Sequence, residues 1–159
     1  MKKALIGCLA LGLLACSRNK DHETLNCAAV DCLTATGTFF LKIVDAKTGE
    51  NKIANGSFDT TGLRILNGAD QRIPVTNNTG IDSLKQALFF WDQSIPGNNK
   101  IQVTAKSGTI SFTYQYTYHS SGCCGSGEVT NITVNEYPFS SYPLQSWSGK
   151  NIKIIEVRL

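Results

Sequence analysis

From residue 101 to residue 118 apolar and polar side chains alternate almost without a break. Ile101, Val103 and Ala105 fall on one side, Gln102, Thr104 and Lys106 on the other. Past Ser107 and Gly108 the pattern resumes, with Ile110, Phe112, Tyr114, Tyr116 and Tyr118 set against Thr109, Ser111, Thr113, Gln115 and Thr117. A period of two places successive side chains on opposite faces of a strand, whereas a helix needs a period near 3.6. Two such runs separated by Ser-Gly predict an antiparallel hairpin, its aromatic face turned to a core and its threonine face to water. A lone hairpin is marginal in water, so the pattern demands more strands around it.

The remaining sequence supplies them. Residues 37–44 are β-branched and aromatic, with Phe39, Leu41 and Ile43 on one face and Phe40 and Val44 on the other. Residues 45–50 read as a turn, with Gly49 at the position that needs positive φ. Residues 63–67 alternate and end in Asn67-Gly68, a turn signal. Residues 71–76 read as a short edge strand, because Pro74 cannot donate to a ladder. Residues 86–91 form another apolar run, and residues 96–99 (Pro-Gly-Asn-Asn) a turn. Residues 122–127 read as a tight loop, 129–135 as a returning strand, 138–143 (Pro-Phe-Ser-Ser-Tyr-Pro) as a rigid loop and 150–159 as the closing strand. No segment keeps a helical period for three turns; residues 79–88 are expected to hold at most one short helix. Hydrophobic residues make up 42% of 159, enough for one real core. The expectation is an all-β fold, an antiparallel sandwich of Ig-like or transthyretin-like type, with a closed barrel as the alternative.

The N-terminus reads as an address. Lys2 and Lys3 precede an uncharged stretch, residues 4–14, too short to span a bilayer. Leu13-Leu14-Ala15-Cys16 then resembles the bacterial lipobox. That resemblance implies a signal peptide over residues 1–15, cleavage before Cys16 and acylation of Cys16, which anchors the chain to membrane. Residues 16–26 are a polar tether, and residues 27–159 the single domain. Without Lys2 and Lys3 the chain has 13 Lys+Arg against 12 Asp+Glu, a net of +1, so no basic surface for nucleic acid is expected. No Asp follows Cys16, and Lys20-Asp21-His22-Glu23 loosely resembles the charged stretch of surface-exposed Bacteroidota-type lipoproteins. The expected location is the outer membrane, on its periplasmic or cell-surface face. Lipobox, tether, the Asn/Thr/Ser/Gly-rich β body and the Cys-Cys-Gly loop together look like small lipoproteins of that type.

With Cys8 in the signal peptide and Cys16 acylated, four cysteines remain: Cys27, Cys32, Cys123 and Cys124. An even number in an exported chain implies disulfides. Bridges from Cys27 and Cys32 to the loop holding Cys123 and Cys124 are expected; a local Cys27–Cys32 bridge with a vicinal or free pair at 123–124 is the alternative. The same cysteines with His119 have metal-ligand chemistry, but neither half has CxxC spacing and an oxidising compartment removes the thiols. No metal and no cofactor are expected.

Residues 43–50 followed by residues 54–57 are similar to the opening of carboxypeptidase-regulatory-like (transthyretin-like) domains, with Asn55-Gly56-Ser57 in place of their Gly-Ala step, which implies a sandwich. Asp59-Thr60-Thr61 and Asp82-Ser83-Leu84 resemble a periplasmic O-glycosylation acceptor, implying modified Thr60 and Ser83; paired Asx turns are the plainer reading. Trp91, Trp147, Tyr137 and Tyr142 are candidate ligand-binding aromatics on which sugar rings could stack, against the plainer reading of core and rim packing. Nucleophile-elbow, phosphate-loop and zincin motifs are missing from the sequence. The functional expectation is a non-catalytic envelope lipoprotein that binds a protein or glycan partner. A carbohydrate-binding accessory protein is the second class, a small hydrolase or metal-binding protein the third.

Overall fold

The computed structural model describes residues 36–76, 84–120, 125–144 and 152–159. They build ten strands: β1 (Gly37–Val44), β2 (Arg64–Asn67), β3 (Arg72–Ile73), β4 (Val75–Thr76), β5 (Leu88–Asp92), β6 (Gly97–Ala105), β7 (Gly108–His119), β8 (Ser126–Val134), β9 (Phe139–Pro143) and β10 (Ile152–Arg158). Two five-stranded sheets result, ordered β4-β5-β1-β10-β9 (sheet A) and β3-β2-β6-β7-β8 (sheet B). All neighbours run antiparallel except β1 and β10, which pair in parallel from Thr38 opposite Ile152 to Val44 opposite Arg158. The fold is an all-β sandwich of two sheets, the first of the two architectures that the alternation allows.

The main core lies between the sheets. Phe39, Leu41 and Ile43 of β1 meet Ile110, Phe112, Tyr114 and Tyr116 of β7, with Ile65, Val103, Phe90, Ile155 and Val157 around them. Phe39 is fully buried and its ring touches three others: Phe90 at 5.5 Å between centroids, Phe112 at 5.3 Å and Tyr114 at 4.8 Å. Burying a side chain of this kind contributes about 1.5–3 kcal/mol, before the preference of rings for offset and edge contacts is added. Tyr118 departs from the expected aromatic face: it is 47% exposed, because the strand has by then run past the core.

Two elements differ from their sequence reading. Residues 71–76 are not one edge strand. β3 pairs with β2 in sheet B and β4 pairs with β5 in sheet A, and Pro74 sits at the corner where the chain changes sheets. A residue without an N–H suits such a corner. Residues 138–143 are not a loop; residues 139–143 form edge strand β9 against β10. The prolines mark its limits, since an edge strand tolerates them where a central one does not. Two turns also move. Residues 97–99 already pair in β6, and the hairpin loop is Lys106-Ser107, because Gly108 pairs with Ala105. The first shift has a visible cause: the Asn99 amide nitrogen donates to the carbonyls of Ile95 (2.9 Å) and Gly97 (3.0 Å), folding the turn one step earlier. Residues 79–83 of the suggested helix lie outside the described residues; residues 84–87 make one tight turn, closed by Ala87 N–H to Leu84 C=O at 3.0 Å, before β5.

The turn after β1 forms as read. Asp45 Oδ1 accepts from the N–H groups of Lys47 and Thr48, both at 2.9 Å, and Gly49 has φ 72°. Those two backbone donors hold the Asp45 carboxyl below its usual pKa.

Candidate functional site

Strand β1 is apolar on both faces, so sheet A cannot present a purely solvated outer side. Register decides what lies there. Trp91 of β5 is opposite Thr38, and Thr38 is opposite Ile152 of β10. On the next rung Phe89, Phe40, Ile154 and Tyr142 run across β5, β1, β10 and β9. Beyond that lie Lys42 and Glu156, whose Nζ and Oε2 are 3.6 Å apart. The outer face of sheet A is thus an apolar band ending in a charged pair.

Ring contacts join one half of the band. Trp91 lies 5.7 Å from Phe89, and Phe89 4.9 Å from Phe40, centroid to centroid. Phe40, Ile152 and Ile154 are buried beneath Leu84, Ala87 and Leu144 in a second, smaller core. Exposed aromatics remain at the two flanks: Trp91 at 44% and Tyr142 at 40%. Three strand spacings separate β5 from β9, so the flanks stand about 14 Å apart. Partial burial and the Glu156 carboxylate push the Tyr142 hydroxyl above its ordinary pKa.

Of the aromatics singled out in the sequence, the fold brings Trp91 and Tyr142 to one face but not into contact. Tyr137, in the β8–β9 connection, packs against the main core instead. Trp147, Cys16, Cys27, Cys32, Cys123, Cys124 and Ser83 lie outside the described residues. Thr60 is half-buried in an Asx turn, where Asp59 Oδ1 accepts from Thr61 N–H at 2.9 Å. That loop is clamped by the β6–β7 turn. Lys106 Nζ is 3.2 Å from Asp59 Oδ2, and Ser107 Oγ accepts from Asp59 N–H at 2.6 Å. The Thr61 hydroxyl, Thr61 N–H and Lys106 together lower the Asp59 carboxyl to a pKa of about 2. Among the described residues no group of three or more His, Cys, Asp and Glu is placed to hold a metal ion.

Sequence reasoning missed Phe89 and Phe40 as members of the band. The signal was present, since Phe89 and Trp91 are two apart in one strand and must share a face. It also missed a buried polar centre. Asp92 is 4% exposed, and Tyr114 Oη donates to its Oδ2 at 2.8 Å. Ser94 Oγ lies 2.7 Å from the same hydroxyl and accepts from Gly37 N–H at 3.0 Å, which ties the start of β1 to β7. Burial pushes the Tyr114 pKa far above its ordinary value, so its hydroxyl keeps its proton and remains a donor. No sequence motif announces this trio, because it joins two strands, β5 and β7, and the β5–β6 connection. No family model, curated protein or solved structure matches this chain.

Proposed function

We propose that this chain is a non-catalytic lipoprotein of the cell envelope, anchored through Cys16, that binds a partner on the outer face of sheet A. The observation that carries the binding reading is that two exposed aromatics, Trp91 and Tyr142, stand on one side of a five-stranded sheet. Large aromatics set on strands supply contact area at little entropic cost. The anchor rests on the lipobox-like Leu13-Leu14-Ala15-Cys16. Two or three acyl chains hold a protein stably where one is marginal.

A second reading is a carbohydrate-binding accessory lipoprotein, favoured by the spacing of the flanking rings along a band that an extended glycan could cross. The two readings separate in one experiment. A photoreactive residue at position 91 or 142 should crosslink to an envelope protein in cells, and one at Thr133, an exposed position of sheet B, should not. Adducts of equal yield from all three positions would defeat the assignment of the face. Loss of glycan binding in Trp91→Ala and Tyr142→Ala, without protein adducts, would favour the second reading. Clickable fatty acid should label the wild type and not Cys16→Ala; a labelled variant would remove the anchor.

A further inference from the structure

Among the described residues the large hydrophobic side chains that stand exposed are Trp91, Ile95, Tyr118 and Tyr142. Scattered singly over a surface such residues need no explanation, but these are not scattered. Register places them along the length of the sandwich. Gly97, the first residue of β6, is opposite Tyr116 of β7. Ile95 precedes Gly97 by two residues and Tyr118 follows Tyr116 by two, so both lie beyond that pair, at one end. In sheet A the last rung at this end pairs Gly37 with Asp92, and Trp91 opposite Thr38 is the next. Tyr142 is opposite Ile154, which is opposite Phe40, still in the first half of β1. Ser94 Oγ accepts from Gly37 N–H at 3.0 Å and lies 2.7 Å from the Tyr114 hydroxyl, which ties the ends of the two sheets together. Ile95 is the most exposed of the four, at 68%.

The opposite end is charged. Asp45, Lys47, Glu50 and Lys52 occupy the segment after β1. Asp59 and Lys106 meet where that segment is clamped to the β6–β7 turn. The sandwich is therefore polarised along its strands. Two features select what the hydrophobic end meets. β1 begins there and runs away from it, so the chain coming from Cys16 enters the sandwich at this end. The link from Cys16 to Gly37 reaches at most about 70 Å, and it joins an acyl anchor to the hydrophobic end rather than to the ionic one. The residue types are also those of a bilayer interface. Trp and Tyr carry an apolar ring with a polar tip, which suits the headgroup layer, and an exposed Ile finds hydrocarbon just below it. The ionic end in the same place would lose hydration without gaining partners.

We propose that the sandwich rests on a phospholipid bilayer through this end, with Ile95 and Tyr118 in the headgroup layer and the charged end outermost. The orientation rests on the Cys16 anchor proposed above. The outer face of sheet A then stands upright from the membrane, Trp91 nearer the lipid than Tyr142, and a partner on that face is held close to the bilayer. The test uses the full chain, carried in detergent and reconstituted into vesicles of phosphatidylethanolamine and phosphatidylglycerol. Benzoylphenylalanine replaces Ile95, Tyr118 or Lys47 in turn, all exposed positions, and mass spectrometry reads the irradiated products. Phospholipid adducts should form from positions 95 and 118 and be lost at 47. Ile95→Asp, a change at an exposed site that spares the core, should reduce the adducts from position 118; an unchanged yield overturns the proposal. Fatty-acid labelling of the same sample keeps the two proposals apart. Absence of lipid adducts at 95 and 118 from an acylated chain overturns the docking and leaves the anchor. Adducts at both from a chain without acyl groups overturn the anchor and support the docking. Equal lipid adducts from position 47 overturn the orientation. So do adducts between two copies of the chain at 95 and 118 in place of lipid, which would mean that a second copy covers this end.

Discussion

A methyl group at Gly127 would overlap the ring and hydroxyl of Tyr116, which lies across that glycine from the neighbouring strand. The diagonal register makes this possible: Tyr116 faces Val129, two residues from Gly127. Gly127→Ala is therefore an overpacking change, expected to cost about 1–3 kcal/mol. The hydroxyl of the same tyrosine is buried with no partner among the described residues, and burial raises its pKa. An unsatisfied buried hydroxyl is a penalty that Phe would not carry, so Tyr116→Phe should leave stability unchanged or raise it by about 1 kcal/mol. Urea denaturation of the two variants should move the midpoint in opposite directions, or down for Gly127→Ala alone; a fall of similar size in both would mean the ring sits otherwise. Asp59 provides a pH test. Its pKa is lowered from 3.8 to about 2 in the folded chain, so the folded state binds fewer protons than the unfolded state between those values. The stabilisation is complete above pH ~4 and is lost as pH falls through about 2. In Asp59→Asn that portion of the acid sensitivity should vanish, and carbon-detected NMR titration of the wild-type carboxyl should give a midpoint near 2 rather than near 4.

At the scale of elements, sheet order ranks the strands by protection. β1 has neighbours on both sides and apolar side chains packed on both faces. β4 and β9 are edges of the same sheet, β4 only two residues long. β8, one edge of sheet B, is blunted by a bulge. Thr113 faces Thr133 but Gln115 faces Thr130, with Asn131 at φ 50° bonded through its amide to Gln115 Oε1 at 2.7 Å. Such irregularity discourages pairing with a second chain. Hydrogen exchange should therefore be slowest in β1, β6 and β7 and fastest in β4 and β9; comparable rates in β9 and β1 would contradict the ordering. The same contrast explains what could be read from the sequence. β6 and β7 were legible because one face is buried and one wet, which writes a period of two. β1 was legible as a strand, and its apolar opposite face already hinted at cover on both sides. β9 was not, since Phe-Ser-Ser-Tyr between prolines has the composition of a loop and becomes a strand only through Ile155 and Val157 beside it. Trp91 was legible as an aromatic but not as one flank of a band, and Asp92 was illegible as a site because its partners come from β7 and the β5–β6 connection.

The whole molecule is closed by its most distant pairing. β1 and β10 are neighbours in sheet A although more than a hundred residues separate them, so sheet A stays incomplete until the far strand arrives. Loop closure of that length is costly in entropy, and a covalent link inside it would be felt. The described residues also fix where such a link would act. The Ser94 bridge between Gly37 and Tyr114 puts the start of β1 beside the second half of β7. Cys32 precedes Gly37 by five positions, a reach of at most about 17 Å. Cys123 follows His119, the last residue of β7, by four positions, a reach of about 14 Å. β7 itself carries five residues from Tyr114 to His119, about 17 Å of strand. The two reaches together exceed that distance, so a bridge from Cys27 or Cys32 to Cys123 or Cys124 needs no rearrangement of the sandwich. It would enclose roughly ninety residues and stabilise the fold by about 4–5 kcal/mol in the chain-entropy limit. Peptide mapping without reductant should recover a crossed peptide joining the two regions, and reduction should lower the denaturation midpoint. A map containing a Cys27–Cys32 peptide alone, with free thiols at Cys123 and Cys124, would leave β1 and β7 held by Ser94, Tyr114 and the ring contacts of Phe39 without covalent help.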